Sequence, residues 1–94
     1  MTVEVLLPRM LADCTGGRTS VTVELPAAAT VRELLDQLAD AHPVFDRRVR
    51  DETGALRRFV NVYVDGDDVR FAAGLATPVA DGAVVQVLPS VAGG

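Results

Sequence analysis

The chain of 94 residues carries nine arginines, no lysine and thirteen acidic residues, for a net charge of −4, and 49% of its residues are hydrophobic. That length gives one domain with a single core. The acidic balance argues against nonspecific nucleic-acid binding, which needs a basic face, and no apolar run approaches the roughly 18–20 residues of a membrane span.

The chain starts Met1-Thr2-Val3-Glu4 without the basic stretch of a signal peptide. Cys14 is its only cysteine, which excludes an internal disulfide and any multi-cysteine metal site. A cytoplasmic location is therefore expected. Residues 2–7, Thr-Val-Glu-Val-Leu-Leu, alternate as a strand with Val3, Val5 and Leu7 on one face, ended by Pro8. Residues 9–19 hold Cys14 and Gly16-Gly17 and read as a turn-rich hairpin loop. Residues 20–25, Ser-Val-Thr-Val-Glu-Leu, alternate without a break, turning Val21, Val23 and Leu25 inward.

Thr30-Val31-Arg32-Glu33 is a capping box. It opens a helix whose Val31, Leu34, Leu35 and Leu38 recur as one apolar stripe, and His42-Pro43 should end it. Residues 44–58, with five arginines against Asp46, Asp51 and Glu52, read as a solvated loop with a short helical turn. Phe59-Val60-Asn61-Val62-Tyr63-Val64 is the third strand, with Val60, Val62 and Val64 inward, ended by Asp65-Gly66. Val69-Arg70-Phe71 is expected as a short fourth strand, residues 74–80 as an irregular crossover, and Ala83 to Leu88 as the last strand after the Asp81-Gly82 turn. Two hairpins flanking one helix cannot bury both sheet faces. The expected fold is α+β, a β-grasp or ubiquitin-like arrangement: a mixed sheet of four to five strands on one main helix, its first and last strands parallel in the middle. The domain is expected over residues 1–89, followed by a flexible tail over 90–94.

Pro89 cannot donate to a further rung, so the strand should stop there. The five residues after it would reach about 17 Å when extended, and Gly93-Gly94 would fit a channel too narrow for other residues. The Phe-Val-Asn strand at residues 59–61, the Asp81-Gly82 turn and the ending Leu88-Pro89-Ser90-Val91-Ala92-Gly93-Gly94 resemble the ubiquitin-like sulfur carriers, which include the thiamine sulfur carrier and the molybdopterin synthase small subunit. Residues 58–77 and Thr15-Gly16-Gly17 resemble the carrier of cysteine biosynthesis most. The resemblance implies a carrier rather than an enzyme. Val91, Ala92 and Gly93 would form its tail, and Gly94 would be adenylated by an activating enzyme and converted to a thiocarboxylate. It further implies a pyridoxal-phosphate cysteine synthase as acceptor and a metalloprotease that releases the product. Sulfur donation to molybdopterin, thiamine or natural products, and protein modification, stand as alternatives; the lack of lysine counts against chains of the protein built on itself.

Inside the domain no catalytic constellation is visible. His42 reads as a helix-end residue, Cys14 as a loop residue without a nearby histidine, and Gly16-Gly17 as turn residues. No phosphate-cradling glycine loop is present, so no cofactor or metal is expected on this chain, and ATP and magnesium belong to the activating partner. The arginine cluster reads as a solvated face. Phe59 and Tyr63, with Val84, Gln86 and Leu88, are expected to form an exposed apolar patch at the root of the tail. There Phe59, Tyr63 and Leu88 would contact partner enzymes.

Overall fold

The computed structural model describes residues 1–89; the expected tail, Ser90 to Gly94, lies outside them. The first two strands, β1 (Thr2–Leu6) and β2 (Ser20–Glu24), pair antiparallel, with Val3 opposite Val23 and Val5 opposite Val21. The alternation read in the sequence sets this register: a shift by one residue would turn every valine to solvent. On the other face Thr2 Oγ1 donates to Glu24 (2.8 Å) and Ser20 Oγ to Glu4 (2.9 Å), so the outward half of the hairpin is bonded through its polar side chains.

The linker between them is more ordered than a loose loop. It forms a single helical turn, α1 (Arg9–Ala12), and then a 3-10 turn over Asp13–Thr15. Leu11 and Ala12 are buried, and the Thr15 hydroxyl, also buried, donates to the carbonyls of Ala12 and Arg18. The main helix, α2 (Val31–Ala41), opens on the expected capping box: Glu33 N–H donates to Thr30 Oγ1, and Thr30 N–H donates to the Glu33 carboxylate. Its stripe of Val31, Leu34, Leu35 and Leu38 is buried in the same core as the inward valines of the sheet.

The largest departure from the sequence reading lies after His42. Where a solvated loop with a short helical turn was expected, residues 43–49 form a seven-residue helix packed on the core, α3 (Pro43–Val49), with Pro43 at its first turn, where a missing N–H costs nothing. Phe45 and Val49, four residues apart, enter the core at 1% and 0% exposure. Arg50 follows, with its guanidinium buried and paired to Asp46 (2.7 Å) and to Asp36 of α2 (2.8 Å). Burial opposes its charge, but the hydrogen bonds to Asp46 and then Asp36 outweigh that, and the pKa is raised above its ordinary value. The short loop beyond is closed by Asp51, whose carboxylate accepts from Thr53 Oγ1, Thr53 N–H and Ala55 N–H. Those donors, the Thr53 hydroxyl first, hold its carboxyl below the ordinary carboxylate range.

Strand β3 (Val60–Val64) begins one residue later than expected, leaving Phe59 outside it. The fourth strand is Asp67–Asp68 (β4) rather than residues 69–71; Val69–Phe71 is a 3-10 turn that sends Val69 into the core and leaves Phe71 exposed. Between β3 and β4, Asp65 (φ 49°) and Gly66 (φ 91°) are both left-handed, the two-residue hairpin turn for which an Asp-Gly pair is suited. The last strand, β5 (Val84–Pro89), extends one residue past Leu88, with Pro89 as its final paired residue. The sheet order is β2-β1-β5-β3-β4, with β1 and β5 parallel and β5 antiparallel to β3. This is the β-grasp arrangement, with α2 as the main helix on one face.

Phe45 is the largest of the fully buried side chains. Phe45→Ala is expected to cost about 3–5 kcal/mol, read as a lower midpoint in urea with an unchanged m value; a loss below about 1 kcal/mol would show that α3 is not part of the core.

Candidate functional site

The end of the described chain is fixed by the partners of β5. Glu4, Val5 and Leu6 of β1 lie opposite Val84, Val85 and Gln86 on one side, while β3 runs opposite residues 85–89 on the other. At the last pair, Pro89 stands opposite Val60. Proline cannot donate, but as the terminal rung of the ladder it needs no donor beyond. The turn that feeds β5 is anchored as well: Thr2 N–H donates to the Asp81 carboxylate and Gly82 N–H to the Thr2 carbonyl, each at 2.8 Å. β5 thus lies between β1 and β3 over residues 84–86 and keeps β3 alone as its paired neighbour out to Pro89.

The segment alongside this point is held by one side chain that the sequence did not single out. Arg70, on the 3-10 turn after β4, donates from Nη2 to the carbonyls of Arg57 (3.1 Å), Arg58 (3.1 Å) and Val60 (2.6 Å), and from Nη1 to the Asn61 side chain. Its own N–H is held by the Asp68 carboxylate at 2.8 Å. A planar guanidinium can serve several acceptors at once, and here it ties the approach to β3 to the strand itself. Read as a strand residue, Arg70 would have pointed elsewhere; only the 3-10 turn aims it back.

The two rings of the expected patch take different positions. Tyr63, half-buried, lies in register with Gln86, on the sheet face away from α2, and the half-buried Leu88 is opposite Asn61 on that same face. Phe59, 53% exposed, instead lines a groove of about 380 Å³ at the end of the sheet where β5 finishes. Buried Leu11 and Val60, with Pro89, form the groove's apolar base, and Met10, 64% exposed, stands at its margin with Phe59. Arg47, Arg48 and Arg57 complete the lining. They come from α3 and the loop after it, joined where Arg57 Nε donates to the Arg47 carbonyl (2.9 Å) and Arg57 N–H to that of Val49 (2.9 Å).

Other candidates find structural places. His42 caps α2, its N–H donating to the Leu38 carbonyl. Cys14 is partly buried against the core. Gly16 and Gly17 sit at positive φ in the turn after the first 3-10 segment. Among the described residues, no group of three or more His, Cys, Asp or Glu is placed to hold a metal ion, and no helix is long and apolar enough to cross a membrane. The expected tail sites Val91, Ala92, Gly93 and Gly94 lie outside the described residues.

Residues 5–94 match the model of the ThiS family. The chain is 42% identical over 96 residues to the sulfur carrier protein CysO of Mycobacterium tuberculosis, with all of both chains covered. Its fold is similar to the crystal structure of small archaeal modifier protein 1 from Haloferax volcanii (TM-score 0.82, 32% identity, 96% of this chain and 98% of the other). It is similar too to a chain in the crystal structure of the BexX/CysO complex of Amycolatopsis orientalis (TM-score 0.79, 44% identity, 98% and 99% covered).

Arg70→Met, which removes the donors but keeps much of the apolar stem, is expected to lower stability by about 1–2 kcal/mol, below the upper range for bonds to a charged group because these carbonyls can rehydrate. Arg70→Lys should recover little of it, since an ammonium lacks the planar fork. Amide hydrogen exchange resolves the effect: protection should fall most at residues 60 and 61. A uniform loss across the sheet would show that Arg70 supports the fold as a whole rather than the tail's root.

Proposed function

The chain belongs to the ThiS family, and from that premise we propose that it is a sulfur carrier whose working group is the C-terminal carboxylate of Gly94. The observation that carries this reading is the 42% identity to the CysO carrier across the whole of both chains, joined to the Gly93-Gly94 ending of the sequence. A carboxylate resists attack by nucleophiles, so it has to be activated. In the proposed cycle a Gly94 oxygen attacks the α-phosphorus of ATP on a separate activating enzyme and pyrophosphate leaves. A sulfide-level sulfur then attacks the acyl carbon and expels AMP, leaving a thiocarboxylate without any change of oxidation state. ATP and magnesium belong to that partner.

The acceptor in this reading is a pyridoxal-phosphate cysteine synthase. The thiocarboxylate sulfur adds to an aminoacrylate formed from an activated serine, an acyl shift leaves cysteine amide-linked to Gly94, and a metalloprotease hydrolyses that bond to restore the carrier. The contribution of this chain is positional. A folded body that fixes where residues 90–94 start replaces diffusion of free sulfide with a tethered, oriented donor. Tyr63 and Leu88 on the open sheet face, and Phe59 at the groove, are proposed as partner contacts, and the setting is the cytoplasm. Likeness to small archaeal modifier protein 1 favours one second reading, in which the same acyl-adenylate is passed to a lysine of another protein.

Intact mass after incubation with an activating enzyme, ATP and a sulfur donor separates the two. One oxygen replaced by sulfur on this chain supports the carrier; covalent adducts on other proteins with no sulfur gained would support the modifier. Deleting Gly94, or adding an alanine after it, is expected to abolish conversion while leaving the thermal midpoint within about 1 °C, a shift far below the several degrees that 1 kcal/mol produces in a domain of this size. Conversion that persists in either variant would place the working group elsewhere.

A further inference from the structure

Around the apolar groove beside Pro89, a chain of net charge −4 gathers three of its nine arginines. The arrangement is not explained by internal pairing. Both ion pairs of the described residues belong to Arg50, and none to Arg47, Arg48 or Arg57. Of the nearby carboxylates, Asp46 is engaged by Arg50 and Asp51 by Thr53, Ala55 and the charge of Arg57, and the exposed Glu52, close to Arg47 and Arg57, forms no ion pair with either. Arg47 and Arg48 are exposed, as are Met10 and Phe59, and all four line the groove together with Pro89. An apolar hollow with a free positive margin selects for one chemistry, an apolar side chain flanked by carboxylates, and repels basic segments.

We propose that this groove docks an acidic segment of the activating enzyme that receives the C terminus, with one apolar side chain of that segment between Met10 and Phe59 and its carboxylates on Arg47 and Arg48. The proposal rests on the reading that a partner enzyme acts on Gly94. Its position gives it a purpose: the groove includes Pro89, so a partner held there meets the chain at the last residue of β5. The five residues that follow, at most about 17 Å long, are then measured from a fixed point. Charge at this margin also speeds encounter and fades with salt.

Two measurements test it. In the first, the isotope-labelled full chain is titrated with a synthetic peptide carrying one phenylalanine between aspartates, and with a control peptide in which lysines replace the aspartates. The acidic peptide should move the amide signals of Met10, Arg48 and Phe59. Arg47→Glu with Arg48→Glu, or Met10→Asp alone, should weaken it at least fivefold, and the lysine peptide should move none of them. Both arginines are exposed, so the double variant is expected to keep the wild-type spectrum elsewhere. Absence of shifts, shifts confined to the face of Tyr63 and Gln86, or binding that appears only after residues 90–94 are deleted, as if the chain's own tail filled the groove, would each overturn the proposal.

In the second, the double variant is supplied to the activating enzyme and conversion is followed by intact mass. An approximately tenfold rise in KM with kcat unchanged, shrinking at high salt, is the expected result; an unchanged kcat/KM would overturn it. If the wild-type chain itself gains no sulfur, the carrier reading fails, and the peptide titration still decides the groove.

Discussion

The parallel pairing of β1 with β5 governs the rest of the structure. It joins residues 4–6 to residues 84–86, almost the full length of the described chain, and it places the last strand between two others rather than at an edge. With that pairing at the centre, β2 flanks β1 and β3 flanks β5. A parallel connection needs a long crossover, and α2, α3 and the segments around them supply it while covering the inward valines. The Thr2 and Asp81 contacts that secure the entry to β5 repeat the same join from its other end. The proposed function depends on this placement, because it roots the last described strand inside the sheet, with β1 along residues 84–86 and β3 as far as Pro89.

Elements whose signal is local were legible in the sequence. The capping box at Thr30 and Glu33 and the stripe from Val31 to Leu38 appear as read, and so does the inward phase of Val3, Val5, Val21 and Val23. Two strands, one capped helix and a terminal strand were enough to reach the β-grasp. What escaped was structure made by distant contacts. Seven residues, Pro-Val-Phe-Asp-Arg-Arg-Val, give only Phe45 and Val49 at helical spacing among charges, and a helix this short is stable through tertiary burial rather than propensity. Val69 has the composition of a strand residue, yet the two-residue β4 ends before it and its turn is set by the Asp68 carboxylate.

The candidate site divides in the same way. The strand phase that puts Tyr63 and Leu88 on the open face follows from alternation alone. Phe59 does not continue it, because β3 starts at Val60 and the preceding segment is bent back and held by Arg70. The groove at Pro89 was invisible for a related reason: its members come from residues 10–11, 47–60 and 89, and no local pattern announces that α1 and α3 meet at one end of the sheet. The arginines at 47, 48 and 57 read as an ordinary solvated face until Arg50 is seen to take up the nearby acids.

The central seat of β5 has a mechanical consequence. If, as proposed, a partner draws the C terminus into a narrow channel, the tension would pass into Pro89 and the strand behind it. Pulled along its axis, a strand is loaded in shear at an edge or inside a sheet alike, and a second flank adds bonds that share the force. β5 has β3 along residues 85–89 and β1 along residues 84–86, so the load would meet one ladder at Pro89 and two further in. Tension on the end would therefore be met by more bonds the further it travels into the domain.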